Sequence, residues 1–354
     1  MADIARKAGV SYPTVSVVLN NRNHSGTVRI SEATQQRVRQ AAKELGYCRN
    51  EIARAMAGGS MRVIGFLTSG LRHEYLGEML EGVLEVAEEN GYLVKVVLVQ
   101  EKENAAETIQ KCIEHRVAGL ICTNMINPLI QQAREMADRY LIPLVIVDNT
   151  LQHKHKIRVL SDDRQGVCDA VDHLISLGHR RIAFLSGSPQ QPECVEREAG
   201  YRQQMQKAGV EVSEDFLVYG HWKRFEAEQA AACLLKKPDR PTAIICVSDF
   251  MAMAAIRAAR SLGIGVPGDF SVVGFSNCKA SDFADPPLTT VFQPFAEMGQ
   301  TAVQHLLGQI QKKRTALRKV DNLCRISTKL VVRESTARAP ATVVPAMQGM
   351  PATG

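Results

Sequence analysis

The sequence predicts an α/β chain: a three-helix unit over residues 1–47, followed by two lobes of doubly wound parallel sheet. Three observations carry this expectation. Residues 2–20, ADIARKAGVSYPTVSVVLN, hold two short helical patterns joined at Ala8-Gly9-Val10-Ser11. Downstream, short β-rich runs alternate with segments long enough for a helix. Charge is uneven, because residues 1–60 hold nine Lys or Arg against four Asp or Glu, a net of +5 in a chain of +6.

The first pattern places Ile4, Ala5 and Ala8 at helical spacing and leaves Arg6 and Lys7 in solvent; Gly9 ends it. Ser11 is a natural N-cap for a second helix from Tyr12 to Leu19, and Pro13 suits its first turn, where an amide has no intrahelical acceptor. Val15, Val18 and Leu19 form the inward face, while Tyr12, Pro13, Ser16, Val17 and Asn20 point outward. A third helix, residues 32–45, buries Val38, Ala41, Ala42 and Leu45 behind a Ser31 cap. Two short helices across a tight turn, backed by a third and by positive charge, form a helix-turn-helix suited to a DNA major groove.

The β-rich runs are RVIGFLTS from Arg62, LVKVVLVQ from Leu93, GLICTN from Gly119, PLVIVDN from Pro143, RIAFLSG from Arg181, TAIICVS from Thr242 and FSVVGFS from Phe270, with a helix at 76–90. Apolar strands joined by helical crossovers predict parallel sheets covered on both faces, and the length favours two lobes over one large sheet. In such folds ligands sit beyond the carboxyl ends of strands, here after Thr68, Asp148, Gly187, Ser248 and Ser276.

Composition narrows the function classes. The chain is 45% hydrophobic, with no run approaching the ~20 apolar residues of a membrane span and, with Asp3 near its start, no apolar signal region. A cytoplasmic protein is expected. Nine cysteines stand singly without CxxC spacing, so they read as small core residues, and neither a metal nor another cofactor is expected. Residues 263–268 spell GxGxxG, but they follow a helical pattern and precede a strand, the reverse of a dinucleotide loop. There is no P-loop and no nucleophile elbow, and His179, at a helix-to-strand turn, reads as capping or packing. An enzyme is therefore not expected. The basic run from Lys312 to Arg338 reads as solvated helix and strand faces, and residues 335–354, rich in Ala and Pro, as disordered.

Over residues 2 to about 334 the chain resembles LacI/GalR-type transcriptional repressors. The resemblance rests on AGVSYPTVSVVLN, SEATQQRVRQAAKELGY and NEIARAMAGG in order, then on GHRRI from Gly178, REAGY from Arg197, Ser248-Asp249 and PPLTT from Pro286. It implies a helix-turn-helix domain at 1–47, a hinge helix and linker at 48–60, and a periplasmic-binding-protein-like core at 61–334. The lobes are expected at about 61–160 with 291–322, and at about 161–290 with 323–334. Carried residue by residue, Tyr12, Pro13 and Val17 fall at base-reading positions, and Ser11, Thr14, Ser16, Asn20 and His24 at phosphate-contacting ones. Val17 stands where many relatives carry an arginine, which implies a thymine methyl in place of a guanine as its contact. Asn50 to Ala57 resembles the hinge helix that lies in the central minor groove, with Met56 at the wedge position and Ala53 allowing close approach. Two departures stand out: the first helix begins directly after Met1, implying either an upstream start or a reduced DNA grip, and the loop NRNHSGTVRI after Asn20 is longer than usual.

For the core, the resemblance implies that Ser69, Asp148, Arg197, Trp222, Asp249, Ser276 and Phe295 contact a small-molecule effector between the lobes. Arg197 offers a planar fork of donors, Asp148 and Asp249 accept hydroxyls, and Trp222, the sole tryptophan, offers a flat face. Asp249 reads equally as a helix cap, and Trp222 as core. Ser276 replaces an aspartate common in relatives. The implied partners are double-stranded operator DNA, a second copy in a homodimer, and a sugar or sugar derivative, with a purine as the alternative. A transport-type binding protein would need an export signal, and a purely architectural DNA binder would not need a polar cleft.

Overall fold

The computed structural model describes residues 1–19, 30–47, 61–99, 105–148, 157–312 and 323–340. The chain divides into two compact units, one through Met61 and one from Arg62 onward.

The first unit contains α1 (Ala2–Ala8), α2 (Tyr12–Leu19) and α3 (Glu32–Glu44). Ile4, Ala8, Val15, Val18, Val38, Ala41 and Ala42 make its core. Gly9 ends α1 in the left-handed region at φ 63°, a conformation a residue without Cβ reaches at no steric cost. The Ser11 hydroxyl accepts from the Thr14 amide at 3.4 Å, and Ser31 accepts from the Thr34 amide at 3.3 Å, so both following helices start on a side-chain cap. Lys7 and Glu44 form a 2.7 Å ion pair between α1 and α3.

The second unit has two six-stranded sheets. In the first, β1 (Val63–Thr68), β2 (Leu93–Leu98), β3 (Gly119–Cys122), β4 (Leu144–Val147), β5 (Ile157–Ser161) and β11 (Leu323–Ile326) lie in the order β11-β5-β4-β3-β1-β2, all parallel. In the second, β6 (Ile182–Ser186), β7 (Leu217–Tyr219), β8 (Ala243–Cys246), β9 (Ser271–Ser276), β10 (Thr289–Phe292) and β12 (Lys329–Val331) lie in the order β12-β10-β9-β8-β6-β7, with only β12 antiparallel. Helices α4 (Glu74–Glu89), α5 (Ala105–Glu114), α6 (Asn127–Arg139) and α11 (Phe295–Lys312) serve the first sheet. Helices α7 (Asp163–Ser176), α8 (Pro192–Lys207), α9 (Arg224–Leu235) and α10 (Asp249–Ser261) serve the second. β1, β3, β4, β6 and β8 are almost wholly buried, which explains their continuous apolar runs.

The chain crosses between the lobes three times: after β5, after β10 and between β11 and β12. This corrects the sequence-based lobe boundaries. Residues 291–292 belong to β10 in the second sheet, and residues 323–326 extend the first sheet by pairing with β5. The expectation of disorder from Ser335 is also corrected for residues 335–340. Ser335 is fully buried, its hydroxyl donates to Val272 O and accepts from the Thr289 amide, and Ala339 N donates to Leu177 O. His179 is buried beneath this segment, its ring nitrogens within 2.9–3.1 Å of Thr242 Oγ1, Ser271 Oγ and Ala337 O. Among the described residues of the basic run, Arg333 is half-buried and donates to Leu288 O and Asn277 Oδ1. Residues 313–322 and 341–354 lie outside the described residues. Among the described residues, no helix is long and apolar enough to cross a membrane.

Candidate functional site

On the first unit, Tyr12, 56% exposed, and Pro13 stand at the start of α2, with Ser16 and Val17 half-buried further along. Val15 and Val18 are buried on the opposite face, so the outward phase of the second helix is the one expected. Ser11 and Thr14 hydroxyls lie 2.8 Å apart at its amino-terminal end, where free amides and the helix dipole favour an anion. Asn20, His24, Asn50, Ala53 and Met56 lie outside the described residues.

In the second unit the polar groups stand where strands end. Asn124, Asp148, Trp222 and Ser276, after β3, β4 and β7 and at the end of β9, all have positive φ, from 48° to 105°. For residues with a Cβ this costs on the order of 1–3 kcal/mol each, and it persists only where the surroundings hold it. Ser69, following β1, donates its amide to Asn124 O, and its buried hydroxyl has no hydrogen-bond partner among the described residues.

Arg197, on α8, is 6% exposed. Its Nε and Nη2 both reach Asp163 Oδ2, at 2.8 and 2.7 Å, and its Nη1 donates to Val247 O at 2.6 Å. The guanidinium carbon lies 4.0 Å from the Phe275 ring centre, a cation–π contact immediately before Ser276. Burial opposes its charge, but the carboxylates of Asp163 and Asp148 more than restore it, and its pKa lies above the ordinary arginine value. The fork expected to meet a ligand is therefore largely held by protein.

Asp148 is pushed up to about 7, first by burial and then by the negative charge of Asp163; Arg197 pulls it back only in part. Tyr75, on α4, senses the charges of Asp148, Glu193 and Arg197, and stacks on Phe295 with ring centres 4.9 Å apart. Burial raises its phenol well above the usual range. These contacts bring Asp148, Arg197 and Phe295 into one region, with Tyr75, Asp163 and Glu193 beside them.

Asp249 is fully buried and turned inward. One carboxylate oxygen accepts from Thr290, and the other from the Cys278 amide at 2.6 Å and the Ser276 hydroxyl at 3.5 Å. Burial pushes it up to about 6 against these hydrogen bonds. The cap of α10 is Ser248, which accepts from the Met251 amide, so Asp249 is neither the cap nor a free acceptor; it holds Ser276 in place. Trp222 is 39% exposed, not core, and its indole N–H donates to Gln191 Oε1. The indole lies across Gly187, where a Cβ would come within 2.5 Å of the ring.

Sequence reasoning missed Tyr75, Asp163, Gln191 and Gln293. Tyr75 and Gln191 precede or open helices next to predicted strand ends, a usable signal. Asp163 and Gln293 gain significance only through partners far away in sequence.

The comparisons with known proteins agree with this fold. The family described as bacterial regulatory proteins, lacI family, matches residues 1–50, and the periplasmic binding protein-like domain matches residues 171–336. An HTH-type transcriptional repressor PurR of Vibrio atlanticus (strain LGP32) is 34% identical over 315 residues, covering 88% of this chain and 92% of the relative. A PurR of Vibrio vulnificus (strain CMCP6) is 32% identical over 340 residues, 95% of this chain and 98% of the relative. Among solved structures, the Lac repressor dimer bound to operator and the anti-inducer ONPF superposes with a TM-score of 0.76 at 28% identity, covering 95% of this chain and 98% of that one. The transcriptional regulator CelR–cellobiose complex does so with a TM-score of 0.70 at 28% identity, covering 94% and 98%.

Proposed function

Because the chain belongs to the LacI family of bacterial regulatory proteins, whose relatives are DNA-binding transcriptional repressors and not enzymes, we propose that its operator affinity is set by a carbohydrate bound between the lobes. The observation that carries this reading is the meeting of Asp148, Tyr75 and Phe295 from one side with Arg197 and Glu193 from the other, beyond the carboxyl ends of both sheets. Asp148 and the unpartnered Ser69 hydroxyl serve as hydrogen-bonding groups for ligand hydroxyls, and Trp222 as the apolar face on which a sugar ring lies. Arg197 and Ser276 present what remains of their donor capacity, and Asp249 supports Ser276 from behind. The cellobiose complex of CelR supports the sugar class. A purine base is the second reading, favoured by the name PurR of the curated relatives and by the flat Tyr75–Phe295 pair.

On the DNA side, Tyr12, Pro13 and Val17 read base edges in the major groove, while Ser11, Thr14, Ser16, Asn20 and His24 hold phosphates. The hinge at 48–60, with Asn50, Ala53 and Met56, enters the central minor groove. The protein acts as a homodimer on a pseudo-palindromic site, a reading supported by the Lac repressor dimer bound to operator. Large apolar side chains left exposed in the second unit, among them Leu93 on the edge strand β2 and Phe250 and Phe283, suit a surface covered by a second copy.

A thermal-shift series of the full-length protein with cellobiose, other sugars and purine bases tests the effector class, because a ligand of the folded state raises its apparent stability. A sugar that raises the unfolding temperature and changes operator affinity supports the first reading. A base that does so in its place overturns it.

A further inference from the structure

The polar groups at the three lobe crossings are joined to one another. At the first crossing, Ser161 ends β5 and its hydroxyl donates to Asp163 Oδ1. At the second, Gln293 Nε2 donates to the same Asp163 Oδ1 at 3.0 Å and to Ser161 Oγ at 2.9 Å. At the third, Thr328 Oγ1 donates to Asp162 O at 3.1 Å and packs so tightly on Gly166 that a Cβ there would lie 2.7 Å from it. Ser161, Asp163 and Gln293 are all at least nine-tenths buried. The other oxygen of Asp163 carries Arg197.

We propose that Asp163 is a positioning residue that ties the first two crossings together, beside the Asp162 carbonyl that holds the third, and passes to them the state of Arg197. One oxygen faces the crossings and the other faces the effector region, so Arg197 acts on Gln293 through a single carboxylate. A ligand that draws the guanidinium away from Oδ2 changes the charge and orientation that Oδ1 presents to Ser161 and Gln293. The lobes turn about these segments. This inference rests on the reading of Arg197 as an effector contact.

Amide hydrogen exchange on the full-length protein tests it without DNA or any small molecule, and so apart from the regulatory reading. In Asp163→Asn, exchange is expected to quicken by about tenfold or more in residues 289–296 and 323–330 as well as in 157–166, while β1, β3 and β8 keep wild-type protection. Arg197→Lys is expected to produce the same three-segment pattern more weakly, which a merely local structural role for Asp163 would not. A rise confined to 157–166, or no rise, overturns the proposal. Should Asp163→Asn lose its cooperative unfolding transition, Gln293→Ala, which leaves the ion pair intact, decides: faster exchange in 157–166 and 323–330 supports the proposal, and wild-type exchange there overturns it.

Discussion

Arg197 places both Nε and Nη2 on the single oxygen Oδ2 of Asp163, at 2.8 and 2.7 Å, with both residues buried. A buried ion pair adds little over a well-packed apolar pair, but removing one partner strands the other charge. Arg197→Met is therefore expected to lower unfolding free energy by about 3–5 kcal/mol in urea denaturation, and the double change Arg197→Met/Asp163→Asn to recover more than half of that loss. A single variant within about 1 kcal/mol of wild type would contradict a stranded carboxylate.

The carboxyls of half-buried Asp148 and buried Asp249 make stability depend on pH. Unfolded, Asp148 and Asp249 lose their protons near pH 4. Folded, they do so near about 7 and about 6, chiefly because burial penalises the charge. Between those limits the folded state binds more protons than the unfolded one, so their contribution is full below about pH 4 and falls as pH rises through the folded values. Asp148→Asn is accordingly expected to gain stability relative to wild type as pH rises from about 4 to about 7, and to gain no more above that. A difference in urea midpoint that stays constant over that range would show that Asp148 does not titrate there.

Trp222 reports on its surroundings without a label, being the only tryptophan. Gly187→Ala puts a methyl within 2.5 Å of the indole and must displace it. The expected result is red-shifted emission with secondary structure unchanged, and weaker binding of whichever sugar or base stabilises the wild type. Unaltered emission would mean that the indole does not rest on residue 187.

Much of this was legible in the sequence, for identifiable reasons. Fully buried parallel strands such as β3 and β8 read as unbroken apolar runs, and Gly9, Ser11 and Ser31 mark helix ends by their own backbone and hydroxyl chemistry. β7 and β12, of three residues each, are too short to show a period, and β5 follows a basic stretch, HKHK, that hides its apolar phase. Ser69, Asp148 and Ser276 stand at strand ends, as the topology rule requires, but how the expected effector residues are engaged was not legible. Asp163 lies 34 residues from Arg197 and 130 from Gln293, so only the fold brings the three together. Ser335, in a segment of disorder-like composition, is held by Val272 and Thr289 from the second sheet.

Base readout and phosphate grip separate by substitution on α2. Tyr12→Ala is expected to reduce discrimination against mismatched half-sites by about 1–3 kcal/mol, whereas Thr14→Ala weakens all duplexes alike. Val17→Arg shifts preference towards a guanine at one position of each half-site, read by selection from randomised duplexes. Uniform loss in Tyr12→Ala would remove Tyr12 from the base-reading set.

The central claim is that the first sixty residues recognise a particular duplex and the remainder regulates them. The most direct measurement is equilibrium binding of the full-length protein, at fixed moderate salt, to a site selected from the source genome and to a scrambled duplex of equal length. The account predicts that the selected site binds at least about 10³-fold tighter, and that a sugar or base which stabilises the protein changes that ratio. Equal affinity for both duplexes, with and without those small molecules, would contradict it.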